Sequence, residues 1–171
     1  MRVYEKYLKL DTDRNGLLRK SELIKYGWGL SEIFIDRIFE EYLTFEGEMD
    51  YKTFLDFVLA MENKKTPQAL QYFWRILDAN HKGAIDSFVI NMFFRPIVQK
   101  LEKFGFNVDD VKDEIFDIAK PKLPFAITLQ DLLACGQGDI IVSMLIDAKA
   151  FYEYDQRESG NVLEGEEFED F

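Results

Sequence analysis

The sequence has 171 residues, of which 47% are hydrophobic and 15% are aromatic, so it can bury a core and is not typical of disordered chains. Its formal net charge of −11 argues against a nucleic-acid partner, which attracts basic surfaces. The sequence contains no run of ~18 apolar residues, which a membrane-spanning helix would need. We expect no membrane partner. The single cysteine, Cys135, excludes an internal disulfide bond and is typical of a reducing compartment such as the cytoplasm.

The first predicted element is a helix over residues 2–10, with an apolar side formed by Val3, Tyr4, Tyr7 and Leu8. It is shorter than the incoming helix of a complete helix–loop–helix calcium unit, or EF-hand. We therefore expect the chain to be a C-terminal piece of a longer protein.

Residues 11–22 match a calcium-binding loop of the EF-hand type. Such a loop needs oxygen ligands at positions 1, 3, 5, 7 and 12 and a glycine at position 6, which here is Gly16. The residues predicted to bind Ca²⁺ are Asp11, Asp13, Asn15, Leu17 through its backbone carbonyl, and Glu22 through both carboxylate oxygens. We predict one calcium site here. The alternative is an acidic turn between helices that binds no ion.

Position 9 of this loop is Arg19, where calcium loops often carry an oxygen that reaches the ion through water. The arginine instead brings a positive charge near the ion. We therefore predict an affinity within or below the range of calcium sensors, roughly 10⁻⁷–10⁻⁵ M.

Three more helix–loop–helix units follow, and none has a full set of ligands. With Gly47 at position 6, the second loop is expected to have the shape of a calcium loop but not its ligands. Position 12 is Thr53 in the second loop and Val89 in the third, so both lack the bidentate carboxylate. Lys82 places a cation at position 5 of the third loop, where an oxygen is needed. The fourth loop contains Lys120, Lys122 and Pro124, which cannot be ligands.

An apolar residue stands at position 8 of each loop, and these residues are Leu18, Met49, Ile85 and Ile127. In paired EF-hands the two position-8 residues meet in a short β-bridge. The pattern therefore predicts that the first loop pairs with the second and the third with the fourth. The alternative is four unrelated pairs of amphipathic helices.

A further helix is predicted over residues 139–154, with one face formed by Ile141, Met144, Leu145, Ala148, Phe151 and Tyr152. We hypothesise that it fills the apolar groove of the second pair, where a target helix otherwise binds. Buried Met144 and Phe151 would support this hypothesis. A weak loop match that starts at Asp155 is not counted as a site, because Arg157 stands at its position 3.

The predicted fold is all-α, with two paired EF-hand lobes, four helix–loop–helix units of which three are degenerate, and a C-terminal helix. The expected divisions are residues 1–63 for the first pair, 64–135 for the second pair, 136–157 for the C-terminal helix and 158–171 for an acidic tail.

Catalysis is not expected. The only histidine, His81, and the only cysteine, Cys135, lie in different repeats, so no nucleophile–base pair is predicted. No Gly-rich phosphate loop follows a strand, and no zinc-ligand spacing occurs. Calcium is the one cofactor that the sequence predicts.

Two stretches resemble the B″ regulatory subunits of protein phosphatase 2A, most closely the gamma type. One is MDYKTFLDFVLAMENKKTP at residues 49–67, continued by LQYFWRILD at residues 70–78. The other is DEIFDIAKP at residues 113–121, with ITLQDLL at residues 127–133. The resemblance extends from about residue 7 to residue 157 and implies that this chain is the C-terminal EF-hand half.

The resemblance implies a non-catalytic subunit that joins the phosphatase scaffold and catalytic subunits and selects protein substrates, with Ca²⁺ modulating assembly. The resemblance also implies that the protein is located in the nucleus and at the cytoskeleton, in addition to the cytoplasm. Some B″ relatives bind calcium in the loop that matches residues 78–89, whereas Lys82 and Val89 argue that this chain does not. The alternatives are a free-standing calmodulin-like calcium sensor and a structural adaptor unrelated to phosphatase.

Overall fold

The computed structural model describes residues 2–159, which form ten α-helices and one two-stranded sheet. The helices are α1 (Val3–Leu10), α2 (Lys20–Leu23), α3 (Glu32–Glu41), α4 (Tyr51–Glu62), α5 (Pro67–Leu77), α6 (Ser87–Lys100), α7 (Val108–Ala119), α8 (Leu129–Ala134), α9 (Gly138–Ile146) and α10 (Ala148–Ser159). The strands are β1 (Ile85–Asp86) and β2 (Ala126–Ile127), and short 3₁₀ turns follow α2 and α6. The predicted all-α class is confirmed.

Residues 160–171 lie outside the described part of the chain, and with them most of the predicted acidic tail and of the weak loop match that starts at Asp155. No helix within residues 2–159 is both long and apolar enough to cross a membrane.

Polar side chains cap the helix N-termini where the sequence changes from loop to amphipathic helix. Thr66 accepts a hydrogen bond from the Ala69 amide at 3.1 Å, and Pro67 then occupies the first helical position of α5. Thr128 and Asp131 form a reciprocal capping box at the start of α8. Helices α5 and α8 therefore begin directly after residues whose side chains cap them.

The position-8 residues pair as predicted. Leu18 and Met49 exchange two backbone hydrogen bonds of 2.8 Å, and both side chains are fully buried. Ile85 of β1 lies opposite Ile127 of β2 in antiparallel register. Each of the two loop pairs is thus joined by backbone pairing at its centre.

The second loop does not have the shape of a calcium loop, contrary to the expectation based on Gly47. Phe45 and Glu48 exchange two backbone hydrogen bonds, of 2.7 and 3.0 Å, around a two-residue turn. Both turn residues, Glu46 and Gly47, have positive φ angles of 51° and 80°, as a type I′ hairpin turn requires. Gly47 therefore serves a tight hairpin and not a wide ion-binding loop.

The helix predicted over residues 139–154 is two helices, α9 and α10, separated at Asp147. Asp147 has extended backbone angles and pairs with Leu30 of the segment between α2 and α3. The Ser31 amide donates to the Ile146 carbonyl at 3.0 Å, and the Ala148 amide donates to the Gly29 carbonyl at 2.7 Å. This backbone pairing interrupts the helical hydrogen bonds, and the Asp147 carboxylate then accepts from the Lys149 amide at the start of α10.

The C-terminal helices are packed into the core. Met144 is 1% exposed and Phe151 is 2% exposed, as the groove-filling hypothesis requires. Helix α9 contacts α5, α6 and α7, and α10 contacts α6. The buried apolar side chains of residues 7–154 form one continuous cluster. The division of the chain into separate segments stays a prediction.

Candidate metal centre

Three carboxylates of the first loop converge on one point. Asp11, Asp13 and Glu22 each have a carboxylate oxygen, and these oxygens all lie within 4.8 Å of one another. Asp11 and Glu22 are buried, whereas Asp13 is exposed. The loop therefore brings its predicted anionic ligands together at the protein surface.

Asp11 is the C-cap residue of helix α1, and one of its carboxylate oxygens has no hydrogen-bond partner. Its Oδ2 accepts a hydrogen bond from the Gly16 amide at 2.8 Å. Its Oδ1 is buried and has no hydrogen-bond partner. A buried carboxylate oxygen without a partner is costly, and a cation at this point would remove that cost.

Asn15 contacts both loops of the first pair. Its Oδ1 accepts from the Leu17 amide at 2.9 Å, while its Nδ2 donates to Glu48 Oε1 at 3.1 Å. Leu17 in turn precedes Leu18, whose backbone pairs with Met49. The position of the Leu17 carbonyl is therefore held by the pairing between the two loops.

Glu22 is 2% exposed and both of its oxygens accept hydrogen bonds from the loop. Oε2 accepts from the amide and the hydroxyl of Thr12, at 2.8 and 2.9 Å, and Oε1 accepts from the Arg19 amide at 2.9 Å. Burial raises the pKa of Glu22, but the hydrogen bonds from Arg19 and Thr12 outweigh burial and hold the pKa below its ordinary value. Glu22 therefore stays ionised and directed at the loop.

The Arg19 side chain touches two of the three carboxylates. Its Nε lies 3.4 Å from Glu22 Oε1, and its Nη2 lies 3.8 Å from Asp13 Oδ2. The positive charge predicted near the ion is thus in contact with the ligands themselves.

Two further residues of the centre lie outside the loop, so its ligand pattern does not reveal them. Tyr7, assigned only to an apolar helix side, donates from its hydroxyl to the Gly16 carbonyl and to the Met49 carbonyl. Burial, followed by the charges of Asp11, Asp50 and Glu22, raises the pKa of Tyr7 to about 12. Glu48 adds a carboxylate from the second loop. The one signal in the sequence for this role of Tyr7 is its position four residues, about one helical turn, before Asp11.

The third loop has a backbone geometry similar to that of the first loop, but both carboxylate oxygens of its first residue, Asp78, accept hydrogen bonds. His81 and Gly83 have positive φ angles at positions 4 and 6, as Arg14 and Gly16 do in the first loop. Both oxygens of Asp78 accept backbone hydrogen bonds of 3.0 Å, from Lys82 and Gly83. Asp78 thus lacks the free oxygen that Asp11 has.

The donor set of the first loop fits Ca²⁺, a hard cation that takes six to eight oxygens. It offers carboxylate, amide and backbone carbonyl oxygens, and the buried Asp11 Oδ1 needs a partner. Thiol and imidazole groups, which transition metals favour, are absent from residues 11–22.

The chain is similar in sequence to regulatory subunits of protein phosphatase 2A. It is 53% identical, over 162 residues, to the gamma-type B″ regulatory subunit of serine/threonine-protein phosphatase 2A from Xenopus tropicalis, an alignment that covers 92% of this chain and 36% of that protein. It is 44% identical, over 169 residues, to the probable B″ regulatory subunit TON2 of Arabidopsis thaliana, with 92% of this chain and 35% of that protein covered. No protein-family model matches the chain.

The fold is similar to that of a solved structure described as a PP2A PR70 holoenzyme, with "diCa" in its description. The TM-score is 0.82 at 26% identity, over 88% of this chain and 58% of that chain. These similarities confirm the resemblance to the B″ subunits. The chain spans about a third of the length of the curated relatives it matches.

Proposed function

The chain is a relative of the B″ regulatory subunits of protein phosphatase 2A, and on this premise we propose that it is the calcium-binding part of such a subunit. In this role it contacts the scaffold and catalytic subunits and directs assembly of the phosphatase or its choice of protein substrate. It is not itself catalytic. We propose the cytoplasm as its compartment, with the nucleus and cytoskeleton as further locations.

One observation carries the calcium part of the proposal: Asp11 has a buried, unpartnered Oδ1, and its carboxylate offers an oxygen within 4.8 Å of carboxylate oxygens of Asp13 and Glu22. Bound Ca²⁺ supplies positive charge that the three carboxylates share. Asp11, Asp13, Asn15, Leu17 and Glu22 would hold it, and we propose this one site in the chain.

The residues of the loop couple ion binding to the surrounding helices. Asp11 ends α1, and Glu22 lies within α2, so a shared ion fixes the two helices relative to each other. Leu18 passes this restraint to Met49, which directly precedes Asp50, the N-cap of α4. The surface formed by α1, α2 and α4 is therefore the part of the molecule whose rigidity depends on the ion.

The proposal is tested by titrating Ca²⁺ while purified phosphatase scaffold and catalytic subunits are pulled down with the full protein that carries these residues. Glu22→Gln keeps the shape of the side chain and removes the bidentate charge, so the calcium-dependent part of the binding should be lost. Glu102→Gln makes the same change on an exposed residue outside the loop and should have no effect.

The outcomes separate the alternatives. Binding of both subunits that is equal with and without calcium, in the wild type and in Glu22→Gln, would keep the phosphatase role and contradict its dependence on calcium. Neither calcium binding nor capture of the phosphatase subunits would identify a structural adaptor unrelated to phosphatase. Calcium binding without any capture of the phosphatase subunits would identify a free-standing sensor and contradict the phosphatase role.

A further inference from the structure

Helix α6 carries apolar side chains on two faces. One face is buried in the core through Val89, Ile90, Phe93, Phe94 and Ile97. The other face includes Phe88, which is 70% exposed, together with Met92. An amphipathic helix that packs on one side ordinarily carries polar residues on the opposite side, so this second apolar face requires an explanation.

The second face borders a cavity of about 310 Å³ between α6 and α3. Its lining includes Ile33 from α3 and, from α6, Phe88, Met92, Arg95 and Pro96. We call this surface the α6 groove. Among its α6 members, Phe88, Met92, Arg95 and Gln99 lie at intervals of three to four residues, so they follow one line along the helix, the arrangement that receives a partner helix.

The exposed apolar surface continues beyond the groove. Asp86 of β1 is paired with Ala126 of β2, so Phe88 and Phe125 each stand within two residues of this backbone pair. Phe125 is 74% exposed, and it and Phe88 are the most exposed large apolar side chains among residues 2–159. Large apolar side chains with this degree of exposure are typical of protein-interaction sites.

The charge of the α6 groove is opposite to that of the whole chain. The chain has a net charge of −11, yet none of the residues that line the groove is acidic and Arg95 is exposed on its rim. Within the part of the chain that the structure describes, Arg95 forms no ion pair. A free guanidinium beside apolar side chains complements a carboxylate that follows an apolar anchor.

From these observations we propose that the α6 groove is a docking site for an acidic amphipathic helix of a partner protein. Leucine-like side chains of that helix would pack between Phe88, Met92 and Ile33. An Asp or Glu on its flank would pair with Arg95. The site is distinct from the calcium loop and does not require an ion.

The test uses two synthetic helical peptides, both with leucines at i, i+3, i+4 and i+7. The remaining positions are Glu in one peptide and Lys in the other. Each peptide is titrated into the isotope-labelled chain, and backbone amide signals are followed by NMR. We expect the Glu peptide to shift the signals of Ile33 and of residues 88–99 in a saturable way. We expect it to bind about tenfold more tightly than the Lys peptide.

The net charge of the chain, −11, would by itself favour binding of the Lys peptide. Tighter binding of the Glu peptide at the groove therefore cannot result from the net charge. Arg95→Glu should reverse the preference at the groove, and Phe88→Ser should weaken both peptides there. Arg157→Glu and Leu43→Ser make matched changes at exposed residues elsewhere and should leave the shifts at the groove unchanged.

Because Phe88 and Arg95 are exposed, their substitutions should leave the fold intact, and the spectrum of each free variant verifies this. Equal or tighter binding of the Lys peptide at the groove would overturn the proposal. So would the absence of shifts at Ile33 and residues 88–99 with the Glu peptide.

Discussion

Arg19 Nε lies 3.4 Å from Glu22 Oε1, so the guanidinium contacts the carboxylate that position 12 offers to the ion. The same side chain reaches Asp13. Arginine and a bound Ca²⁺ would therefore compete for oxygens of these two carboxylates. This contact gives a structural reason for the weak affinity expected from Arg19 at position 9.

Removing the competing charge should strengthen ion binding. We expect Arg19→Asp to tighten Ca²⁺ binding by about tenfold, because a nearby cation is lost and a carboxylate is gained. Isothermal titration calorimetry measures the change, and Arg157→Asp is the control for total charge. An unchanged affinity in Arg19→Asp would contradict the competition between arginine and ion.

Loss of the bidentate ligand should have the opposite effect. Glu22→Gln keeps the side-chain volume but replaces a carboxylate that accepts from Thr12 and Arg19. We expect Ca²⁺ affinity to fall by at least about 100-fold, or ~3 kcal/mol. Calorimetry of Glu22→Gln beside Glu102→Gln tests this, and an affinity equal to the wild type would show that the loop is not a calcium site.

The capping box of α8 should make stability depend on pH. Burial raises the pKa of Asp131, but the hydrogen bonds from Thr128 and Lys122 outweigh burial and hold the pKa below its ordinary value. Since a lowered folded-state pKa stabilises the ionised form, the contribution is complete above the ordinary pKa of about 4. It is lost as the pH falls through the lower folded-state pKa.

Asp131→Asn should therefore lower the free energy of unfolding by about 1–2 kcal/mol at pH 7. The difference from the wild type should begin to shrink below about pH 4, where Asp131 of the unfolded chain becomes protonated, and it should disappear once the folded chain is protonated as well. Urea denaturation at pH 7 and at pH 3 measures both values. A difference that is the same at the two pH values would mean that charge is not the cause.

The pairing of Gly29 with the start of α10 leaves no space for a side chain. A Cβ atom at Gly29 would overlap Asp147 Oδ1 and would lie 2.7 Å from the backbone nitrogen of Lys149. We expect Gly29→Ala to lower the free energy of unfolding by about 1–3 kcal/mol and to reduce hydrogen-exchange protection of the Ala148 amide.

Gly27→Ala is the matched control for this change. A Cβ atom there meets the Leu30 side chain at an ordinary distance of 3.4 Å, so stability should change little. Equal destabilisation by the two substitutions would argue that the close approach of Gly29 to Asp147 is unimportant.

The convergence of the carboxylates in the first loop could be predicted because the pattern is local. The residues from Asp11 to Glu22 lie within one short segment, and the apolar residues Leu18 and Met49 indicated the pairing of the loops. Glu48 and Tyr7 could not be predicted as parts of the centre. They reach it only after the loops have paired and α1 has packed on α4.

The two errors in the fold have different physical origins. Gly47 can serve either a calcium loop or a type I′ turn, since both need positive φ, and the hairpin between Phe45 and Glu48 decided between them. The break at Asp147 depends on backbone groups of Gly29 and Ser31. Helical periodicity in residues 139–154 contains no information about a partner so far away in the chain.

The contact between Leu30 and Asp147 also sets an order for biosynthesis. The ribosome releases the segment that holds Gly29 and Ser31 long before it releases residues 146–148. Until then, the Ser31 amide and the Gly29 carbonyl lack their native partners. The part of the chain that holds the first loop therefore completes its own structure only after residues 146–148 have been synthesised, and folding of its last backbone contacts follows the synthesis of α9.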